Sequence, residues 1–360
     1  MPGVDVVIPC YNYGHYLDHC VATVTGQRDV AIRILIVDDH SPDDTPTVAK
    51  RLAAADPRIQ YTRNPRNLGL VGSINRGVMD WASADYTLVL SADDALTPGA
   101  LARAVAVMER HPEVGMTYGL AVVFGERNDE FAVGDTTIFD YATFSGAQYI
   151  EDFCRRKNGV ASPTALVRTR VQKDVGGYDA QFPHTCDVEM WMRIATRYDI
   201  AAIEAPQAYY RWHGGNMSSA YIDRPLSDLR EQLETCEHLQ RTAGAHLPSF
   251  AGWVADMRTR FAREACWLAG LACENGNAAA MRHCLAFATA IEPAIRTSKP
   301  WWGCQARRAL AALNRLRGRA GTRLGRRPFT PFVHGSLFGR WPGREAGADR
   351  SRPFEPAASR

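Results

Sequence analysis

The sequence predicts an α/β fold: a doubly wound, mostly parallel sheet of the Rossmann-like kind, followed by a C-terminal helical region. Short apolar runs alternate with helical stretches of about a dozen residues through the first third of the chain, the pattern of strand–helix–strand units. Three of these strands end in polar residues: Tyr11 and Asn12 after the first, Asp38 and Asp39 after the second, Asp93 and Asp94 after the fourth. Beyond Pro225 the strand pattern stops and helical spacing takes over.

In chain order, the β-branched run at residues 4–9 (VDVVIP) predicts a strand, and the spacing from Tyr16 to Thr25 a helix packed on the sheet. The pattern repeats with a strand over 32–37, a helix over 45–54, a strand over 59–62, a helix over 72–81 and a strand over 86–90. The last, with Leu88, Val89 and Leu90 in succession, reads as covered on both faces. Pro98 and Gly99 then open a helix over 101–110. Residues 114–139 read as a meander of short strands with turns near Gly125 and Gly134, 146–157 as a helix and 162–167 as a strand. Val188, Trp191, Met192 and Ala195 mark a helix over 187–197, and strands near 200–203 and 208–212 close the sheet domain near residue 222.

Helices over 226–243, 249–274 and 277–290 follow, the last two separated by Gly276 and Asn277 with the small-residue pattern of an antiparallel hairpin. The expected divisions are thus 1–222, 223–299 and 300–360. The third begins with Trp301 and Trp302 and a basic helix that carries Ala306, Ala309, Leu310, Leu313 and Leu316 on one face. Past residue 326 its Pro, Gly and Arg content predicts disorder.

With 360 residues the chain is expected to hold about two domains, and 46% hydrophobic residues imply that it is mostly folded. The net charge of +3 hides an asymmetry: residues 300–360 hold 13 Lys plus Arg against 3 Asp plus Glu, a net of +10, which leaves −7 for residues 1–299. Nine cysteines with no CxxC spacing point to free thiols in a reducing cytoplasm. No leader and no run of about 18 apolar residues is seen, so the expectation is a cytoplasmic protein, with peripheral contact at the inner face of the membrane as the one departure. Nucleic acid is not expected as a partner, because the arginines lack a recognised binding module.

Asp93 and Asp94 sit at the carboxyl end of an apolar strand, where ligands bind in open α/β sheets. Two adjacent carboxylates repel unless a positive charge lies between them, and a divalent cation carrying a phosphate ester would supply it. Taken alone, the pair reads first as a solvated turn or a helix cap.

Five patterns in order, VVIPCYNYGHYL, ILIVDDHSPDDT, NLGLVGSINRGV, LSADDALTPGAL and CDVEMWMRIA, resemble the nucleotide-sugar domain of the family 2 glycosyltransferases, which have the GT-A fold. The resemblance spans about residues 4–215 and leaves out the helical region. It implies that Tyr11 stacks on a uracil-like base over a loop shaped by Pro9, beside Asn12, and that Asp39 accepts the base N–H. Asn67, Gly69 and Asn75 correspond to the stretch under the ribose and diphosphate. Asp93 and Asp94 correspond to the acids that hold Mg²⁺ or Mn²⁺, and Ser91 stands where the family often has a further Asp. Asp187 corresponds to the general base, with Cys186 in place of the usual Glu. In YYRWHGGNMS, His213 would approach the metal or the diphosphate, with Arg211 beside it among the nucleotide-sugar-binding residues. Residues 158–184, with Ser162 and His184, would receive the acceptor.

The resemblance therefore implies an inverting, metal-dependent transfer of one sugar from a nucleotide-diphosphate donor, UDP-linked by preference, to a hydroxyl of a glycan or lipid-linked acceptor. Cell-surface polysaccharide or glycoconjugate synthesis is the expected setting. Two rivals remain: a nucleotidyltransferase, which would need more glycine near the first strand, and a catalytically silent nucleotide-binding or scaffolding protein of the same fold.

Overall fold

The structure is a computed structural model, which describes residues 1–125, 139–156, 159–217, 225–316 and 337–338. It divides into two compact units, one of residues 1–219 with 332–360, the other of residues 220–331.

The first unit is built on β1 (Gly3–Cys10), whose Val4, Val6 and Ile8 are buried against α1 (Gly14–Thr25) through Leu17, Val21 and Val24. The opposite face of β1 is also covered. Val7 meets Gly77 so closely that a Cβ there would lie 2.2 Å from Val7 Cγ1. Parallel strands β2 (Ala31–Asp38) and β4 (Tyr86–Val89) flank β1, and β3 (Ile59–Arg63) adds outside β2. Asp5, buried on β1, takes a bidentate bond from Arg33 (2.8 and 2.7 Å) and the N–H groups of Ser83 and Ala84.

Beyond β4 the directions mix. With β5 (Ala95–Leu96), β6 (Val114–Phe124), β8 (Leu166–Arg168) and β9 (Asp199–Arg211), the strand order is β3-β2-β1-β4-β8-β6-β9-β5. β8 is antiparallel to both β4 and β6, whereas β6 and β9 run parallel. β7 (Tyr141–Phe144) pairs with β9, and β10 (Leu337–Phe338) with β6, both antiparallel. The helices are α2 (Thr45–Ala55), α3 (Gly69–Asn75, continued by π-helical turns over Arg76–Trp81), α4 (Ala100–Arg110), α5 (Gly146–Arg156), α6 (Thr169–Val175) and α7 (Cys186–Ala195).

Of the meander expected over 114–139, the first strand is β6, wholly buried and ending at Phe124 before the turn expected near Gly125; residues 126–138, with the turn expected near Gly134, lie outside the described residues. Two expectations need correction. The two strands expected over 200–212 are one, because register shifts against β6 absorb Pro206 without ending the strand. The strand expected at Ser162 starts later, since Pro163 sits in a 3₁₀ turn over Ser162–Thr164.

The second unit contains α8 (Pro225–Ala243), α9 (Phe250–Glu274), α10 (Ala278–Ile291) and α11 (Lys299–Leu316). Asn277 caps α10 by accepting the Ala280 N–H at 3.0 Å, and Gly276 takes a left-handed φ of 72° before it. Among the described residues no helix is long and apolar enough to cross a membrane. The disorder expected past residue 326 falls outside the described residues, apart from the two that form β10.

Candidate active site

The carboxyl ends of β1, β2 and β4 lie side by side, so Tyr11, Asp39 and Asp93 open onto one edge of the sheet. Pro9 lies beyond Val7, the last β1 residue paired with β4, where its missing N–H breaks no ladder bond with that strand. Asn12 turns the chain with a φ of 60°, a conformation Asn tolerates, and its N–H donates to Ser41 Oγ at 3.1 Å. Tyr11 is 45% exposed beside this turn.

Asp38 and Asp39 are both buried and divide their work. Asp38 accepts from Ser41 N–H and Tyr61 O–H and pairs with Arg63, which ties β2 to its own loop and to β3. Asp39 Oδ1 accepts from Asn64 Nδ2 at 2.8 Å and from the Leu68 N–H at 2.7 Å. Asn67 Oδ1 accepts the Gly69 N–H at 2.9 Å, and Gly69 has a φ of 75°, which only glycine adopts freely.

After β4, Ser91 accepts the Asp94 N–H through its carbonyl, which folds the chain back so that Asp93 and Asp94 follow in a tight turn. Both acids are nearly inaccessible. Asp93 Oδ2 lies 3.1 Å from His213 Nε2 and 3.4 Å from Asn216 Nδ2. The Gly215 N–H donates to His213 Nδ1 at 3.1 Å, so Nδ1 holds a lone pair and Nε2 carries the proton directed at Asp93. Asp94 Oδ1 accepts the Arg211 N–H at 2.9 Å, and burial, followed by the neighbouring Asp93, raises its pKa.

Helix α1 braces this cluster from its first turn. Tyr13 donates to the Gly215 carbonyl at 3.0 Å, and Tyr16 stacks on His213 at a centroid distance of 5.5 Å. The Arg211 guanidinium is held between Tyr16 and Phe124, 4.4 and 4.2 Å from their centroids, and its Nε donates to the Asp93 carbonyl at 2.7 Å. Arg211 is fully buried, and burial lowers its pKa. It therefore braces the Asp93 turn.

Asp187 opens α7 and is partly buried. Burial raises its pKa; the Val188 N–H at 2.7 Å, the charge of His184 and a bond from Ser162 oppose that shift. The rise makes it a stronger proton acceptor than an exposed aspartate. Two residues on, Glu189 forms a bidentate pair with Arg193 (2.8 and 2.6 Å), and Arg193 also donates to the Val175 and Gly177 carbonyls. Asn75 uses both ends of its amide on the Tyr178 backbone, at 2.9 and 2.7 Å. It thus braces the 175–178 turn.

Sequence reasoning missed Tyr13, Tyr16, Asn216 and Glu189. Only Glu189 carried a signal, its i,i+4 spacing from Arg193. Among the described residues no three His, Cys, Asp or Glu side chains form a metal cage. Asp93, with Asp94 and His213 beside it, instead offers the donor set of an ion that takes one or two carboxylates from the protein and its remaining oxygens from phosphate and water.

This sheet with helices on both faces has a fold of GT-A type, which the solved structures bear out. A mannosyltransferase from Pyrobaculum calidifontis, in complex with GDP-Man and Mn²⁺, aligns over 89% of this chain and 88% of its own with a TM-score of 0.52 at 18% identity. TarS 1–349 from S. aureus, in complex with UDP, aligns over 97% and 98% with a TM-score of 0.53 at 15% identity. Residues 5–164 match the model of glycosyl transferase family 2. A β-1,3-glucosyltransferase of Campylobacter jejuni, named for its GalNAc(5)-diNAcBac-PP-undecaprenol substrate, is 33% identical over 35% of this chain and 38% of its own length. The chain spans less than two thirds of the length of most of the curated relatives it matches.

Proposed function

We propose that residues 1–222 form an inverting glycosyltransferase domain that moves one sugar from a nucleotide-diphosphate sugar, UDP-linked by preference, to a hydroxyl of a glycan or lipid-linked acceptor. The observation that carries this reading is the meeting of Asp93 with His213 across 120 residues, at the same sheet edge as Asp39. The solved neighbours support the donor class: one holds UDP and the other GDP-Man with Mn²⁺, so the diphosphate is common to both.

Tyr11 is free to stack on the base, and Asp39, whose Oδ2 accepts no bond among the described residues, receives a ring N–H. That preference favours uracil or guanine over adenine, which has no ring N–H at the pairing edge. Asp93, with Asp94, would hold Mg²⁺ or Mn²⁺, which when bound neutralises the diphosphate and stabilises the departing nucleoside diphosphate, while His213, whose two ring nitrogens are already bonded, orients the Asp93 carboxylate. Asp187 removes the proton from the acceptor hydroxyl as its oxygen bonds to the anomeric carbon. The bond to the diphosphate breaks on the opposite face, and its electron pair leaves with the nucleotide. Ser162 and His184 keep that carboxylate oriented, and the 158–184 segment receives the acceptor.

The named substrate of the C. jejuni relative supports a lipid-linked acceptor, in cell-surface polysaccharide or glycoconjugate synthesis. A cytoplasmic site with peripheral contact at the inner membrane face, through the basic residues after 299, would bring the domain to such a substrate. Thermal shift against UDP, GDP and ADP, with and without Mn²⁺, tests the reading. UDP with Mn²⁺ should raise the melting temperature more than either alone, and Asp93→Asn should abolish the synergy. No response to any nucleotide would leave a silent protein of the same fold.

A further inference from the structure

The apolar face of α11 points outward. Its inner side is fixed by Cys304, which is buried, and by Arg307, which pairs with Glu274 at 3.0 Å and crosses Gly270 on α9, where a Cβ would meet Arg307 Nη1 at 2.8 Å. At about 100° per residue, Trp302, Ala306, Ala309 and Leu310 share an arc centred nearly opposite Cys304. All four are exposed, Trp302 by 62% and Leu310 by 60%. A surface helix ordinarily turns such a stripe toward the core, and an exposed one rimmed by charge marks an interaction surface.

We propose that this face of α11 lies in the surface of an anionic phospholipid bilayer, with Trp302 and Leu310 at headgroup depth. Charge selects that occupant. Residues 300–360 carry a net of +10, with Arg307 and Arg308 beside the stripe. Anionic headgroups attract that charge while the acyl boundary takes the stripe, the combination that holds an interfacial helix. A second copy of the chain would bring another excess of arginine against the first. Nucleic acid would take the arginines and leave Leu310 in water. The inference deepens the peripheral contact proposed above by naming the face, and vesicle binding can fail while nucleotide binding stands.

Co-sedimentation of the full chain with vesicles of phosphatidylcholine alone, or mixed with phosphatidylglycerol, tests it. The chain should sediment with the anionic vesicles only. Leu310→Lys, which adds positive charge while removing apolar contact, should weaken that binding by about tenfold. Trp302→Ala should do the same, and both variants should keep the wild-type thermal melt because the positions are exposed. The proposal is overturned if anionic vesicles fail to carry the chain down, or if Leu310→Lys binds them as well as wild type, which would leave arginine attraction alone. It is also overturned if light scattering shows a dimer that either substitution dissociates.

Discussion

At the residue scale, the most informative group is Asp187, because function and stability pull on it in opposite directions. Its folded-state pKa is raised, chiefly by burial. The folded protein therefore binds that proton more tightly than the unfolded chain does. Its contribution is intact below the unfolded carboxylate range and is lost as pH rises through the raised value. Asp187→Asn should thus melt no lower than wild type at pH 8, with any advantage shrinking as pH falls toward 4. The same variant should lose transfer by roughly 10²–10⁴-fold, the usual contribution of a positioned base. A variant that melts lower at pH 8 and keeps its transfer rate would contradict both halves. Tyr13 offers a milder probe. Tyr13→Phe removes the bond to the Gly215 carbonyl, a net cost of about 1 kcal/mol, and should loosen His213 from Asp93. Weaker Mn²⁺-dependent UDP binding with little change in the melt is the expected result.

At the element scale, the turn between α6 and α7 is held by two anchors from distant parts of the chain: Asn75 on Tyr178, and Arg193 on the Val175 and Gly177 carbonyls. Arg193→Met would leave Glu189 buried without its partner and should cost about 3–5 kcal/mol in denaturant titration. Gly177→Ala should distort the turn, because a Cβ there would lie 2.7 Å from Asn75 Oδ1. Neither anchor is written in the pattern of apolar residues, since Asn75 and Tyr178 are 103 residues apart and each looks like an ordinary loop or turn residue. The parallel strands were legible for the opposite reason: each is an apolar run closed by polar residues, and local pattern suffices. Pattern failed at Pro163 and Pro206, where a 3₁₀ turn and shifts of register depend on neighbouring strands. Asp39, Asp93 and Asp187 were singled out by resemblance, whereas the backing of Tyr16 and Phe124 on Arg211 required the folded chain.

At the scale of the whole molecule, the acids to which we assign the base, the metal and the acceptor proton lie on separate elements. Asp39 follows β2, Asp93 and Asp94 follow β4, and Asp187 opens α7, so each can be altered without removing the others. The most direct measurement is release of UDP from a panel of UDP-sugars by the full chain, with Mn²⁺ or with chelator, for wild type, Asp93→Asn and Asp187→Asn. The account predicts Mn²⁺-dependent release from at least one donor, lost in Asp93→Asn and strongly slowed in Asp187→Asn. Release that persists in chelator and is indifferent to both substitutions would contradict it.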